Sequence, residues 1–541
     1  MISLIYLKTN QKRGDETSLN DIQEATQTKR SVAIRISGRT RFFVIGAALL
    51  ALFLGALDAL VVGAAMPTIV ADLGGLHLYG WVFSSYLLAR AISLPIFGKM
   101  CDLFSSKKLY LAAITIFVLS SLLGGAARDM PQLIICRALQ GIGAGGTFAL
   151  AYIVVADIAE PDKRGKMMGL ISFVWGVASI LGPALGGLIV SYFSWRWIFY
   201  LNLPLGCVAL LAILLYLKEV REKKPHPSLD LLGALTLSIA VLALLAIFML
   251  GGRNYPWFSR EILFLGLVSL GGGLGFCFAE KRAREPILAL GFFRNPEFSF
   301  ANGSAFFSSS AIFSLSAFSP LFIQGVLGKS PAQLGMAMVP LSLGWSVGAL
   351  LCGQLITRER EKPYSILGSI LLIISAGLTA TFSPDTSLLV FSSVLAVAGI
   401  GMGFVSVATL LIVQNSLDAA NLGVATSSQQ FARTLGGTIG IGISGSLATA
   451  HLAKGLEALL NSPYQKEIPS SIAQNLLSSF ESIFQPEIQA GLSPMIQKSL
   501  QEAVEKGVKM VFWSAVVAAL ISLVCCCLVP GRKKASRQRL W

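Results

Sequence analysis

Three ionisable side chains stand inside long apolar runs. Asp58 lies in the middle of ALFLGALDALVVGAAMP (51–67), Arg90 in the run that follows Trp81, and Arg137 in CRALQGIGAGG (136–146). If these runs are bilayer helices, a carboxylate at mid-depth costs roughly 2.5–3.5 kcal/mol on insertion scales, so it must serve a purpose. At 1.5 Å per residue Asp58 lies ~13 Å below Pro67, Arg90 ~13 Å below Trp81 and Arg137 ~9 Å below Pro131, one layer in the outer half of the membrane. Two chemistries fit such a layer. Burial favours the neutral acid and an adjacent guanidinium favours the carboxylate, so an acid balanced between them can take up and release a proton. Alternatively, the charges satisfy one another as a structural ion pair.

The elements that must hold these charges are legible from composition. The 541 residues are 54% hydrophobic and only 13% charged, with mean hydropathy +0.70 and 53 glycines. A soluble chain carries about a quarter charged residues, so this is a polytopic membrane protein whose glycines permit close helix contacts. Spans of about 20 apolar residues read near 42–66, 81–100, 109–126, 131–155, 167–189, 197–217, 229–250, 262–279, 299–322, 334–356, 365–383, 387–413, 425–447 and 510–529, fourteen in all. The net charge of +15 gathers in the tail 1–41, at Lys107 and Lys108, at Lys163–Lys166, and in KEVREKKPHP, EKRARE, REREK and GRKKASRQR. With fourteen spans all these clusters fall on one side, which sets both termini in the cytoplasm of a multi-pass protein of the cell membrane and removes the need for a nucleic-acid partner. Residues 1–41 read as a polar tail without a signal peptide.

Other chemistries find little support. His77, His226 and His451 are scattered and form no metal-ligand cluster. The eight cysteines show no disulfide or metal spacing, and Cys525–Cys527 suit packing better than palmitoylation. No P-loop is present, so neither ATP-driven pumping nor another enzyme activity is expected, and no cofactor. The stretch 448–509 is a long outer loop whose HLAKGLEALLNS and SIAQNLLSSFESIF segments have the spacing of short amphipathic helices at the outer surface.

Several strings are more specific. FGKMCDLFSSKK (97–108) joins spans two and three. Its Gly98 allows close backbone approach, its Asp102 suits a helix N-terminus, and Lys107 and Lys108 can reach acids or carbonyls on neighbouring helices. A degenerate copy, CGQLITREREK (352–362), lies between spans ten and eleven, with Gly353 matching Gly98 and Lys362 matching Lys107. WGVASILGPALGG (175–187) carries a small-residue face of Ala178, Gly182 and Gly186 beside Pro183 and Gly187. The first string resembles the signature loop of the major facilitator superfamily, with Leu103 and Ser105 departing from its usual basic residue and glycine. CRALQGIGAGG resembles the motif whose arginine is associated with proton coupling, and the Gly-Pro string resembles the antiporter motif of its exporters. LDALVVGAAMPTIVADLGG, WVFSSYLLAR, WRWIFYLNLPLG and LGVATSSQQFARTLGGTIG extend the resemblance over 42–530, to the fourteen-span drug:proton antiporter branch.

That resemblance implies an all-α major facilitator fold: a tail (1–41), a six-helix half (42–217), two linker spans (218–280), a second six-helix half (281–530) and a basic tail (531–541). It implies a monomeric, proton-coupled exporter of small amphipathic compounds, with Asp58, Arg137 and Arg90 coupling, Gly98, Asp102, Lys107 and Lys108 switching, and Gly182, Pro183, Gly186 and Gly187 bending one helix. An endogenous metabolite or siderophore is an alternative cargo, and a transport-inactive sensor is a further alternative. In span nine Phe306, Ser310 and Phe313 share a helical face, and with Gln324, Trp345, Gln414 and Arg433 they make a candidate cavity, though a core stripe is equally compatible. With no acid in the second half's spans, neutral or monocationic substrates are expected.

Overall fold

The computed structural model describes residues 38–75, 78–160, 163–219, 228–252, 255–356, 360–460 and 494–531. Among these described residues fourteen helices follow one another. The first group is α1 (Gly38–Leu73), α2 (Tyr79–Leu103), α3 (Ser106–Gly125), α4 (Met130–Ile158), α5 (Arg164–Tyr192) and α6 (Arg196–Tyr216, with a break at Leu201). Then come α7 (Leu231–Leu250) and α8 (Arg260–Arg282). The last group is α9 (Pro296–Gly325), α10 (Pro331–Leu355), α11 (Glu361–Thr381), α12 (Leu388–Ser416), α13 (Leu422–Leu460) and α14 (Pro494–Leu528). Two six-helix halves are thus joined by a two-helix insertion.

Each expected span lies on one of these helices, overrunning its ends by no more than two residues, and the helix starts show why. Asp129 accepts from the Gln132 N–H at 2.8 Å, Asp230 from Gly233 at 2.8 Å and Ser387 from Val390 at 3.3 Å. Ser330 and Gln333 form a reciprocal capping box. Among the described residues thirteen helices are long and apolar enough to cross a membrane. The exception is α13, whose TSSQQ stretch places Thr426, Ser427, Ser428, Gln429 and Gln430 inside the bundle. Its polarity faces protein, which is why hydropathy alone understates it. The outer loop also differs from expectation: HLAKGLEALL continues α13 to Leu460, and α14 begins at Pro494. The segment SIAQNLLSSFESIF lies outside the described residues, as do the tails 1–37 and 532–541.

The start of α1 and the end of α14 share one end of the bundle, with Arg39, Lys107, Lys163 and Lys362 at the helix ends there; this is the basic face. The largest core joins both halves on that side, with Ala48, Tyr110, Ile153 and Met168 packed with Ala349, Cys352, Phe404 and Leu411. A second core fills the last six helices around Phe322, Phe391 and Phe512. Leu119, Leu215, Phe264, Leu267, Leu270 and Leu274 point outward, more than half exposed, as a lipid-facing belt requires. The insertion is not a loose tether. Leu237, Val241 and Leu245 of α7 pack with Leu88 and Ala91 of α2 and with Phe431 of α13, and Trp257 donates to the Ser446 hydroxyl at 3.1 Å.

Candidate functional site

Asp58 and Arg137 meet. The Arg137 Nη1 donates to Asp58 Oδ2 at 2.5 Å, and both residues are almost fully buried, Arg137 at 1% exposure and Asp58 at 2%. The other carboxylate oxygen accepts from Gln140 Nε2 at 2.8 Å and from Asn202 Nδ2 at 2.9 Å. Arg137 also donates to Gln140 Oε1 at 2.7 Å and lies 4.1 Å above the Tyr86 ring, a cation–π contact. Tyr86 in turn donates to the Gly55 carbonyl at 2.9 Å. Four helices therefore converge on one carboxylate: α1 carries it, α4 brings Arg137 and Gln140, α6 brings Asn202, and α2 supplies the aromatic floor. The glycines of α4 make this possible. A Cβ on Gly145 would stand 2.7 Å from the Arg90 carbonyl, and one on Gly141 would collide with the Tyr86 carbonyl. With those side chains absent, α2 and α4 lie backbone to backbone.

Arg90 is elsewhere. Its guanidinium lies over Phe148 at 4.5 Å and over Trp175 at 5.0 Å rather than on Asp58. Equal depth along a helix fixes height and says nothing of which way a side chain turns, so the expected three-charge layer is a pair plus a separate cation. Arg90 and Tyr86 do share one tight crevice, walled also by Leu52, Gly55, Phe148 and Trp175. The second half holds a counterpart. The Arg433 guanidinium of α13 lies 5.3 Å from the Trp345 ring of α10 and donates to Gln430 Oε1 at 3.1 Å. Arg90 and Trp345 stand the same number of residues apart as Gly98 and Gly353, and Trp175 and Arg433 the same number as Gly165 and Gly423. Both halves thus present an arginine–tryptophan pair at equivalent places, with the two residue types exchanged between the two helices.

Those four glycines form the seams between the halves near the basic face. A Cβ on Gly98 would overlap Ser427 and lie 2.9 Å from the Gly423 carbonyl. The Asp102 carboxylate then accepts the Gly423 N–H at 2.8 Å and the Val424 N–H at 2.9 Å, capping the start of α13 from the other half. Across the second seam a Cβ on Gly165 would stand 3.0 Å from the Gly353 carbonyl, and one on Gly169 2.7 Å from that of Ala349. The backbone N–H groups of Lys107 and Lys108 are engaged with Glu219 at 3.0 Å and with Ser105 at 3.2 Å. Among the described residues neither ammonium group forms an ion pair. Lys362 instead donates to the Cys527 and Val529 carbonyls at 2.8 and 2.6 Å, closing the end of α14.

Gly182 packs α5 on α1, where an added Cβ would meet Leu60 Cβ at 2.7 Å. Gly186 is buried, Gly187 faces open space, and the Pro183 side chain lies outside the described residues.

Comparison with known proteins settles the family. The Major Facilitator Superfamily profile matches residues 48–441. The multidrug transporter protein MdtP of Bacillus subtilis (strain 168) is 35% identical over 498 residues, covering 90% of this chain and 92% of its own. Multidrug resistance protein 3 of the same organism is 32% identical, covering 90% and 94%. The chain belongs to the major facilitator superfamily. The human organic anion transporter MFSD10 superposes with a TM-score of 0.57 over 88% of this chain and 99% of that one, at 16% identity, a likeness of fold alone. Membership and relatives make this a multi-pass transporter related to multidrug efflux pumps.

Within this superfamily fold the expected cavity divides. Phe313, Trp345 and Arg433 come together, the two rings 6.1 Å apart and edge to face. Phe306 and Ser310 lie against Gly436 and Gly440 of α13 as a packing stripe. Gln414 is buried at the basic end, donating to Thr426 Oγ1 at 3.1 Å, and Gln324 is half-buried near the far end of α9. Neither joins the aromatic–arginine cluster. Sequence reasoning missed Gln140, Asn202, Tyr86 and Trp175. Gln140 was findable, standing three residues after Arg137 and so on the same helix face; Asn202 offered no local signal.

Proposed function

We propose that this protein is a proton-coupled antiporter that exports small amphipathic compounds by alternating access, with its basic face in the cytoplasm by the positive-inside bias. The observation that carries the proton reading is the Asp58 site: one carboxylate bound by one guanidinium and two side-chain amides. Such a set can serve both protonation states. The carboxylate accepts from all three donors; the neutral acid needs an acceptor, which Asn202 supplies by turning its carbonyl oxygen inward. Arg137 then keeps Gln140 and the Tyr86 ring as partners while its counter-ion is neutralised. The switch is the Asp102 contact with α13, which holds the basic face shut and must break for cargo to enter from the cytoplasm. Gly182 lets α5 lie close to α1, so movement of α5 is felt on the helix carrying Asp58. The transporter acts as a monomer in the cell membrane.

The test is dye transport into everted vesicles under an imposed pH gradient. The expected result is gradient-dependent uptake abolished by an uncoupler; uptake indifferent to the uncoupler refutes proton coupling.

A further inference from the structure

We infer that the cargo site takes an amphipathic organic anion, its negative group seated between Arg90 and Arg433 and its apolar or aromatic body against Trp175 and Trp345. The inference rests on the efflux reading above and names the chemical class of its substrate.

Four observations carry it. First, neither guanidinium has a carboxylate partner among the described residues, whereas Arg137, at a similar depth, has one. Unpaired cations inside a membrane protein are costly and face cavities or partners. Second, the two arginines come from opposite halves, their like charges oppose each other, and both act on Tyr152, to which Arg433 is hydrogen-bonded. An anion between them relieves that repulsion, and a cation worsens it. Third, polar groups there are left over. Arg433 Nε is buried without a hydrogen-bond partner, and the remaining donors of Arg433 and Gln430 have only the Tyr152 hydroxyl and one another to serve. All are donors, and an oxyanion offers only acceptors. Fourth, each arginine lies on an indole, and the exchange of residue types gives each half one guanidinium and one indole at equivalent chain positions. Arginine and indole planes suit a carboxylate, sulfonate or phosphate carried on a flat apolar body. The absence of acids from the second half's spans, which suggested neutral or cationic cargo, has its counterpart in an excess of positive charge.

The experiment uses the full-length protein in phosphatidylcholine vesicles with three probes of one shape: pyrene-1-sulfonate, 1-pyrenemethanol and 1-pyrenylmethyl-trimethylammonium. Binding is read as thermal stabilisation without a gradient, and transport as uptake with one. The sulfonate should bind and move in preference to the ammonium probe. Arg90→Gln and Arg433→Gln should each lower the sulfonate-to-methanol uptake ratio about tenfold, the scale of one lost charged hydrogen bond, and Arg433→Lys should restore most of it. Removing an uncompensated charge should leave the melting temperature without ligand no lower than in the wild type. Equal or better transport of the ammonium probe, or an unchanged ratio in both glutamine variants, overturns the anion site. Transport of the methanol and ammonium probes without sulfonate binding also overturns it and leaves the efflux reading intact. Sulfonate binding that needs both arginines, with no probe transported, overturns the efflux reading and upholds the site. Loss of sulfonate binding on adding phosphatidylglycerol assigns the site to a lipid headgroup and overturns the cargo assignment.

Discussion

Replacing Asp58 with asparagine separates a proton carrier from a structural ion pair, and the geometry allows the cost to be worked out. Breaking a buried pair costs ~3–5 kcal/mol, chiefly because the remaining charge is stranded. Arg137 is not wholly stranded here. The introduced asparagine keeps one carbonyl oxygen within its reach, Gln140 Oε1 remains at 2.7 Å, and the Tyr86 ring remains 4.1 Å below. The asparagine amide, however, would face the donor groups of Gln140 and Asn202, so the Asn202 amide must turn while Gln140 keeps its oxygen on Arg137. The lower end, about 3 kcal/mol, is therefore expected, a fall in melting temperature of about 3 °C in a chain of this size. Such a protein still folds and inserts. Proton-driven uptake into everted vesicles should nevertheless vanish, while substrate binding, read as ligand-dependent melting, persists. Adding Arg137→Gln should recover the lost stability without recovering uptake. The rescuing partner is Arg137 and not Arg90, because only Arg137 touches the carboxylate. Proton-driven uptake at the wild-type rate from Asp58→Asn refutes the coupling argument, and recovery of uptake in the double variant makes the pair structural.

Gly98→Val should overpack the α2–α13 seam by ~1–3 kcal/mol, opening the basic face about 5- to 150-fold more often; spin-label distances between α2 and α13 would check this, and an unchanged distribution would contradict it. Asp102→Asn keeps the shape of the α13 cap but removes its charge, so maximal transport rate should fall several-fold with little change in apparent affinity; a pure affinity loss would deny the switch role. Gly182→Val should reduce transport through its collision with Leu60, whereas Gly187→Val, which meets nothing, should be tolerated; equal effects would show that the string acts in some other way. At the far end of α1, Asp72 accepts from Trp195 and Arg196 at 2.9 and 2.7 Å, and these bonds hold its carboxyl below the ordinary carboxylate range. Its contribution is complete above the unfolded-state value and is lost only as pH falls through the lowered one, so Asp72→Asn should leave the shape of the pH–transport profile between about pH 6 and 8 unchanged.

The long elements, α13 among them, were open to sequence reasoning because a bilayer demands apolar runs of fixed length, even though the polar face of α13, turned inward, lowers its hydropathy. Asp58, Arg90 and Arg137 could be set in one layer because height along a helix is countable from the sequence. Which arginine meets the carboxylate was not legible, since direction around a helix depends on what packs beside it, for Arg90 the rings of Phe148 and Trp175. Asp102 was recognisable as a helix-capping residue, but not which helix it caps, because its partner comes more than three hundred residues later. The paired arginine–tryptophan arrangement was hidden for another reason. A search for repeats looks for the same residue at the same place, and here the residue types trade positions.

The seams near the basic face are built of glycine and other small residues lying against backbone. Such a contact resembles a latch more than a dial. Any larger side chain there displaces the opposing helix, so few substitutions remain that could strengthen or weaken closure by small steps. Fine adjustment of how long the gate stays shut then falls to the groups around the start of α13, where the Asp102 bonds can be lengthened, screened or competed for without separating the backbones. Variants that change transport speed by modest factors should collect around that helix start, and variants along the seams should divide into the silent and the inactive.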